Sequence, residues 1–271
     1  MKVIDYDQID EWGPWIGAMV AEIASSEIGK AILESEPVYL EDAGAFLCDR
    51  IGRGRLIEHL AMRLAPYAVR MYHGTRVTDA ELESISTEGL KPLKLVDRKP
   101  ALAAIFGEHP KWAEAKPHFE AVLHKFGPGE GAGPREDNCV HFCFSRTGLV
   151  RGCNHYLTHG AEVDRHIVHH LFGDEIALDL LRTHRRAKLV TFLSPFPKAA
   201  QAANPWGFPS EDLPSLLGML INAWGYRQAH PAFTVVSQRD CTAARFEGPI
   251  LASQIERIVD VDDIGLDRDQ R

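Results

Sequence analysis

A change of hydrophobic period near residue 66 is the feature that most constrains the fold of this chain. Before it, apolar residues recur at helical spacing over residues 15–33 and 41–64, and Pro37 and Pro66 mark the stops. After it, Ala68-Val-Arg-Met-Tyr-His73 alternates as a β-strand does. The sequence therefore predicts a helical N-terminal region, residues 1–65, followed by a domain that contains a sheet.

The later elements predict an α+β class. Helical patterns cover 79–88, 97–125, 152–172 and 211–226, strand patterns cover 139–144, 188–193 and 233–236, and 249–261 mixes a short helix with a strand. Strands spaced so irregularly argue against a doubly wound parallel sheet. We expect the second domain to span 66–262, with a helical insert at about 93–137 and a polar tail at 263–271. The glycine-rich stretch 127–134 predicts a mobile loop near the mouth of a site.

Composition narrows the class of protein. A chain of 271 residues with 45% hydrophobic residues can bury a core without metal or disulfide. Its net charge of -8 excludes a basic nucleic-acid footprint over the whole chain, and the local run from Arg182 to Lys188 is interpreted as a solvated helix end, with phosphate binding as the alternative. Five cysteines, no signal-peptide pattern and no long apolar run predict a cytoplasmic protein without a membrane partner.

The first motif is His73-Gly74-Thr75, at the end of the predicted strand and followed by Gly89-Leu90-Lys-Pro92. Glycine at a strand end permits close approach to the backbone, and histidine can bond a ribose hydroxyl. This pattern resembles the opening of the ADP-ribosyltransferase fold in its His-Tyr-Glu class. Poly(ADP-ribose) polymerase catalytic domains, RNA 2′-phosphotransferases and bacterial ADP-ribosyltransferase toxins are relatives. The resemblance implies a split β-sandwich core.

A second motif similar to that class is His141-Phe-Cys-Phe-Ser-Arg146, followed by Asn154-His-Tyr156. The resemblance implies that Tyr156 stacks on nicotinamide, that Phe142 or Phe144 forms the pocket wall, and that Ser145 lies near the nicotinamide amide. The turn is longer than in the polymerases, so the group that bonds the amide is left open. The alternative for Tyr156 is a half-buried helix residue.

The third motif is Phe246-Glu247-Gly-Pro-Ile250, followed by Gln254-Ile-Glu-Arg-Ile258. The resemblance implies that Glu247 is the catalytic carboxylate, which stabilises the cation formed as nicotinamide leaves. A surface turn residue is the alternative for Glu247. Glu256 and Asp240 are the substitute candidates for the acid.

The resemblance implies an ADP-ribosyltransferase that uses NAD+ as co-substrate, with His73, Tyr156 and Glu247 in one site and no metal. The acceptor is left open among protein, nucleic acid and small molecule, and a bacterial toxin or defence role is one possibility. The alternatives are an NAD glycohydrolase and a non-catalytic protein that binds ADP-ribose or a nucleic-acid end.

Two other constellations compete with this interpretation. The histidines between His155 and His170 contain pairs four residues apart that could bind zinc, although no CxxC or HExxH pattern accompanies them. Packing or exposed histidines are the ordinary interpretation. Cys143 beside a histidine is a weaker candidate for a nucleophile.

Overall fold

A computed structural model describes residues 1–127, 138–203, 215–235 and 243–261. Most of the predicted loop 127–134, the candidate acid Asp240 and the predicted tail 263–271 lie outside these residues. The described chain combines helices with a sheet, as the α+β prediction requires.

The described strands form one six-stranded sheet with the order β5-β3-β2-β4-β6, and β1 pairs in parallel with β2. Their bounds are β1 Val3–Ile4, β2 Ala68–Val77, β3 Cys139–Cys143, β4 Arg186–Pro195, β5 Ala243–Glu247 and β6 Ile255–Asp260. The ten-residue strands β2 and β4 lie inside this sheet and have a strand on each side. The finer prediction, a split β-sandwich core, stays a prediction.

Helices make up most of the remaining described chain. They are α1 Ile9–Ala21, α2 Ile28–Glu34, α3 Leu40–Ile51, α4 Arg53–Leu64, α5 Asp79–Glu88, α6 Leu95–Phe106, α7 Trp112–Phe126, α8 Arg146–Arg151, α9 His155–His159, α10 Glu162–Leu171, α11 Glu175–Thr183, α12 Phe196–Ala202 and α13 Ser215–Ala229. A 3₁₀ turn, Ala252–Gln254, precedes β6.

The chain divides into two compact units that differ from the predicted domains. Unit 1 comprises Met1–Met71, Cys143–Gly148 and Leu193–Ala244, whereas unit 2 comprises Tyr72–Phe142, Leu149–Phe192 and Arg245–Arg271. The first seventy residues are largely helical, as predicted, but they share unit 1 with α12 and α13. Helix α13 packs against α1, α2 and α3.

The N-terminal helices are shorter than the apolar periodicity predicts. Residues 22–27 separate α1 from α2, and Gly52 separates α3 from α4. Gly52 has φ +91°, a conformation that glycine adopts at little cost and that ends a helix. In each case, apolar residues that follow one helical period belong to two helices. The hydrophobic period alone does not show the break between them.

Unit 2 holds a helical core that the sequence predicts only in outline. The predicted insert forms α6 and α7, which pack with α10 and α11 around a set of buried apolar residues. Its members include Leu102, Phe106, Phe119, Ile167 and Leu181. The predicted single helix 152–172 is wrong in extent. It is two helices, α9 and α10, separated at Gly160, whose φ is +84°.

Candidate functional site

The main candidate site is a cavity of about 390 Å³ in unit 2, here called the His73 cavity. Strands β2 and β3 and helices α5, α6, α9 and α10 supply its walls. Four of the predicted site residues line it: His73, Gly74, Thr75 and Tyr156. Its volume falls within the roughly 300–1,000 Å³ range of small-molecule sites. Two motifs 83 residues apart in the chain (73 to 156) therefore meet at one place.

His73 presents one ring nitrogen as an acceptor. Its Nδ1 lies 2.7 Å from the carbonyl oxygen of His141 on the neighbouring strand. Because a carbonyl oxygen only accepts, Nδ1 carries the proton and Nε2 of the neutral ring can accept a hydrogen bond. Burial lowers the pKa of His73, the hydrogen bond to His141 acts in the opposite direction, and the His141 side chain lowers the pKa further. The neutral ring is therefore the form that meets a ligand near pH 7.

Gly74 brings the helix that carries Tyr156 against the strand. A Cβ at Gly74 would lie 3.1 Å from Leu157 Cγ and 3.4 Å from Leu149 Cδ1. Leu157 is fully buried on α9, one residue after Tyr156. The glycine, predicted to admit a ligand, thus also admits the packing of α9 onto β2. The Tyr156 ring packs against the His155 ring in a tilted arrangement, with centroids 4.0 Å apart and an interplanar angle of 39°.

The Gly89-Leu90 motif is joined directly to the segment that follows Glu247. Leu90 N donates to Ile250 O over 2.9 Å, and Ile250 N donates to Leu90 O over 2.8 Å. Gly89 has φ +93°, and a Cβ there would lie 2.0 Å from Ile250 O. Only glycine fits this position. The predicted first and third motifs are therefore neighbours in the folded chain.

Glu247 ends β5 beside the cavity strand β3 but does not line the His73 cavity. Gly248 N donates to Asn138 O over 2.8 Å. Since Gly248 follows β5 and Asn138 precedes β3, the two strands run antiparallel and Glu247 lies opposite Cys139, which does line the cavity. The exposed Glu247 is thus at the cavity's end of the sheet.

The face of the sheet on which Glu247 lies follows from an aromatic cluster. Phe246 packs against Phe142 and Phe192, with ring centroids 4.9 and 6.1 Å apart. Successive side chains of a strand point to opposite faces. Glu247 and His141 are therefore on the other face, where His141 lines the cavity.

The same alternation changes the interpretation of the aromatic residues. Phe142 is 3% exposed and belongs to the cluster on the opposite face, so it is not a wall of the His73 cavity. Phe144 and Ser145 belong to unit 1 and do not line the cavity. Ser145 Oγ accepts from Gly148 N over 2.8 Å, so this serine caps the start of α8. The pattern identified the strand correctly but misassigned its faces.

Of the two substitute acids, only Glu256 is described. It is exposed on β6, which forms one edge of the sheet, whereas β5 forms the other. Glu256 does not line the His73 cavity. Glu247 therefore remains the better placed of these two carboxylates.

The cavity also contains charged residues that the motifs do not predict: Glu81, Lys91, Arg98 and Glu162. One sequence pattern could have identified the position of Glu81, because Thr78 precedes it by three residues, as in a capping box. In the structure, Glu81 Oε2 accepts a hydrogen bond from Thr78 N over 2.8 Å. Arg98 had none, since its partner Asp164 lies 66 residues away in the chain.

The run from Arg182 to Lys188 is only in part the solvated helix end that the sequence predicts. Arg186 is exposed and Arg182 is half-buried in the last turn of α11, but the other two cations are buried. Arg185 is 1% exposed and donates to Asp164 Oδ2 over 2.6 Å. Lys188 is also buried and pairs with Asp260, while Arg182 donates to Asp179 over 2.6 Å. These cations are held by carboxylates, so the run is part of the fold of unit 2.

Neither the histidines between His155 and His170 nor Cys143 forms the site that the competing interpretations predict. His166 and His170 pack around Phe126, and His170 Nδ1 lies 2.9 Å from His166 O. Within the described ranges, no group of three or more histidine, cysteine or acidic side chains is arranged to hold a metal ion. Cys143 is disulfide-bonded, so its sulfur is not a thiolate nucleophile.

The helices of the described segments include none with the length and apolar character needed to cross a membrane. Comparison with known proteins gives no relative: no family model, curated protein or solved structure matches this chain.

Proposed function

We propose that the protein is an ADP-ribosyltransferase that takes NAD+ into the His73 cavity. The observation that carries this proposal is the convergence of His73, Gly74, Thr75 and Tyr156 on one cavity of suitable volume. A second support is that Glu247 ends its strand beside Cys139, on the face of the sheet that carries His141. Together, His73 supplies a ring nitrogen that can accept a hydrogen bond from a hydroxyl group, Tyr156 supplies an aromatic ring for stacking, and Glu247 supplies a carboxylate.

In the proposed reaction, His73 Nε2 accepts a hydrogen bond from a ribose hydroxyl and Tyr156 stacks on the nicotinamide ring. The bond from C1′ of the ribose to the nicotinamide nitrogen breaks, and its electron pair leaves with nicotinamide. The Glu247 carboxylate stabilises the cationic sugar electrostatically. The acceptor then forms a bond to C1′ and loses its proton. Transfer to a macromolecule and transfer to water differ only in this last step.

Incubation with NAD+ labelled in its adenine moiety, in the presence of cell lysate, tests the proposal. We expect nicotinamide release by chromatography and label on one acceptor fraction. Label found only in free ADP-ribose would replace transfer by hydrolysis, and absence of nicotinamide release would contradict the proposal.

Tyr156 offers a matched pair of variants for the same assay. Tyr156→Phe keeps the ring for stacking and should retain nicotinamide release within about threefold, whereas Tyr156→Ala should lose about tenfold or more, the scale for one base–aromatic stacking contact. Equal activity of the two variants would remove Tyr156 from the ligand site.

A further inference from the structure

One wall of the His73 cavity is backed by a buried cluster of charges. Asp164 is fully buried, and its two carboxylate oxygens accept hydrogen bonds from Arg98, one of them over 3.1 Å. Arg185 donates to the same carboxylate over 2.6 Å. Burial alone would raise the pKa of Asp164, but the two guanidinium groups hold it below its usual range. Asp164 therefore fixes the orientation of Arg98, which lines the cavity.

The cluster leaves hydrogen-bond donors without acceptors beside a cavity carboxylate. Arg98 Nη1 lies 3.9 Å from Glu81 Oε1, and Arg185 Nη2 lies 3.7 Å from the same oxygen. Both distances exceed that of a hydrogen bond. Within the described residues, Nε and Nη2 of the fully buried Arg185 side chain have no hydrogen-bond acceptor. Arg185 does not line the cavity, so a ligand there meets Glu81 Oε1 and Arg98 Nη1, whose 3.9 Å separation leaves both able to bond a hydroxyl group.

The charge of the cluster decides which polar group fits. Two guanidinium groups, of Arg98 and Arg185, face two carboxylates, of Asp164 and Glu81. The cluster is therefore close to neutral, and a phosphate entering it would approach two carboxylates as well as two cations. A neutral group that both donates and accepts hydrogen bonds avoids that repulsion. Adjacent hydroxyl groups of a sugar have this property.

We propose that Glu81 and Arg98 form a subsite for the vicinal diol of a ribose. One hydroxyl donates to Glu81 Oε1, and the diol oxygens accept from Arg98 Nη1. The other oxygen of Glu81 is held by Thr78 N, and the rest of the Arg98 guanidinium is held by Asp164. Both partners are thus positioned before the ligand arrives, which lowers the entropy cost of binding. This subsite rests on the proposed function, since it assumes that the cavity takes a ribose.

Calorimetry with ADP-ribose and two analogues tests the subsite without any catalytic step. One analogue lacks the diol of the adenosine ribose, and the other lacks that of the terminal ribose. The wild-type protein should lose about tenfold or more in affinity for one analogue, because a site that pairs with hydroxyl groups discriminates against their absence. Glu81→Gln should reduce that loss to threefold or less. Glu83→Gln, the same change at an exposed position of α5 that does not line the cavity, should leave it unchanged.

The outcomes separate the subsite from the proposed function. Equal diol discrimination in the wild type and Glu81→Gln, no discrimination in the wild type, or no ADP-ribose binding would each overturn the subsite. Discrimination that depends on Glu81, in a protein that never releases nicotinamide from NAD+, would support the subsite and contradict the transferase. Should Glu81→Gln lose its fold by circular dichroism, Arg98→Lys supplies the same comparison, since it keeps the charge beside Asp164 and loses the planar donor fork.

Discussion

The two units each contain a depression of comparable size, and the chemistry of their linings differs. In unit 1, a groove of about 510 Å³, here called the Trp224 groove, is lined by Gly13, Gly17 and Gly29 together with apolar residues. Its charged members, Asp10 and Arg227, bond each other over 2.8 Å. The smaller His73 cavity of unit 2 gathers two histidines, a tyrosine, two glutamates and two cations.

Volume alone therefore does not distinguish a ligand site. A ligand site needs a few polar groups that converge and keep some hydrogen-bonding capacity. The His73 cavity has such groups in His73 Nε2 and in the Glu81–Arg98 pair. The ion pair of the Trp224 groove satisfies its own charges.

The largest expected effect is that of Glu247→Gln on turnover. The variant keeps the size of the side chain and removes the charge that stabilises the cationic sugar, so nicotinamide release should fall by about 10²–10³-fold. NAD+ affinity should remain unchanged. Glu256→Gln, on the strand at the other edge of the sheet, is the control and should keep wild-type turnover. Nicotinamide release by Glu247→Gln at the wild-type rate would show that another group is the acid.

His73→Ala should weaken NAD+ binding as well as turnover. It removes an acceptor that contacts the ground-state ligand, so the dissociation constant should rise by about tenfold. Calorimetry measures this rise, and Gln228→Ala in the Trp224 groove is the control for a substitution that leaves the cavity intact. The comparison of the two units would be reversed if Gln228→Ala weakened binding and His73→Ala did not.

Two glycines with equally tight surroundings give a direct comparison of the units. The Cβ of Gly74→Ala would lie 3.1 Å from Leu157, and that of Gly17→Ala would lie 3.1 Å from Trp224. Gly74→Ala should push α9 and Tyr156 away from β2, with a loss of about 1–3 kcal/mol in the free energy of unfolding and several-fold in nicotinamide release.

Gly17 lies inside helix α1, where alanine gains up to about 1 kcal/mol of helix propensity that offsets part of the crowding. Gly17→Ala should therefore keep full nicotinamide release. Urea denaturation and the release assay on both variants separate stability from activity. Loss of activity in Gly17→Ala alone would assign the function to unit 1.

The smallest expected effect is on the pH dependence of stability. Burial, followed by the charges of Arg165, Arg182 and Arg76, lowers the pKa of His159 on α9 to about 4 from 6.5. The unfolded chain therefore takes up a proton first, so the free energy of unfolding falls as the pH falls from about 6.5 to about 4. The full shift corresponds to about 3 kcal/mol, and solvent screening of this half-buried ring reduces it to about 1 kcal/mol.

His159→Gln removes the titrating ring, so its stability should fall by about 1 kcal/mol less than that of the wild type between pH 7 and 4.5. Urea denaturation at the two pH values measures this difference. Equal pH dependence of the two proteins would show that His159 is protonated as easily in the folded chain as in the unfolded one.

Local patterns predicted the cavity residues that belong to the sequence motifs, but not the charged residues around them. The motif identified His73 and Thr75, but it placed them at the end of the strand, whereas β2 continues to Val77. Gly89 follows from the end of α5. The sequence did not predict the Arg98–Asp164 pair, because that contact depends on how α6 packs against α10. Nor did it predict the faces of β3, since Cys139, His141 and Phe142 all belong to one continuous apolar and aromatic run.

The predicted strand 233–236 shows the same limit on a smaller scale. Val235 and Phe233 suit a strand, yet Phe233 N bonds His230 O over 2.8 Å and Arg227 bonds Phe233 O. These contacts join Phe233 to the end of α13, so the chain forms a turn there and not a strand. Val236 lies outside the described residues. Arg227, six residues before Phe233, supplies one of these contacts, and β propensity does not encode such a contact.

Hydrogen–deuterium exchange with and without saturating ADP-ribose tests the central claim most directly, because it locates the ligand without requiring turnover. We predict slower exchange at residues 73–75 of β2 and in α9, with unchanged exchange at residues 13–17 and 224–228 of the Trp224 groove. Protection confined to the Trp224 groove, or no protection in either unit, would contradict the assignment of the His73 cavity as the nucleotide site.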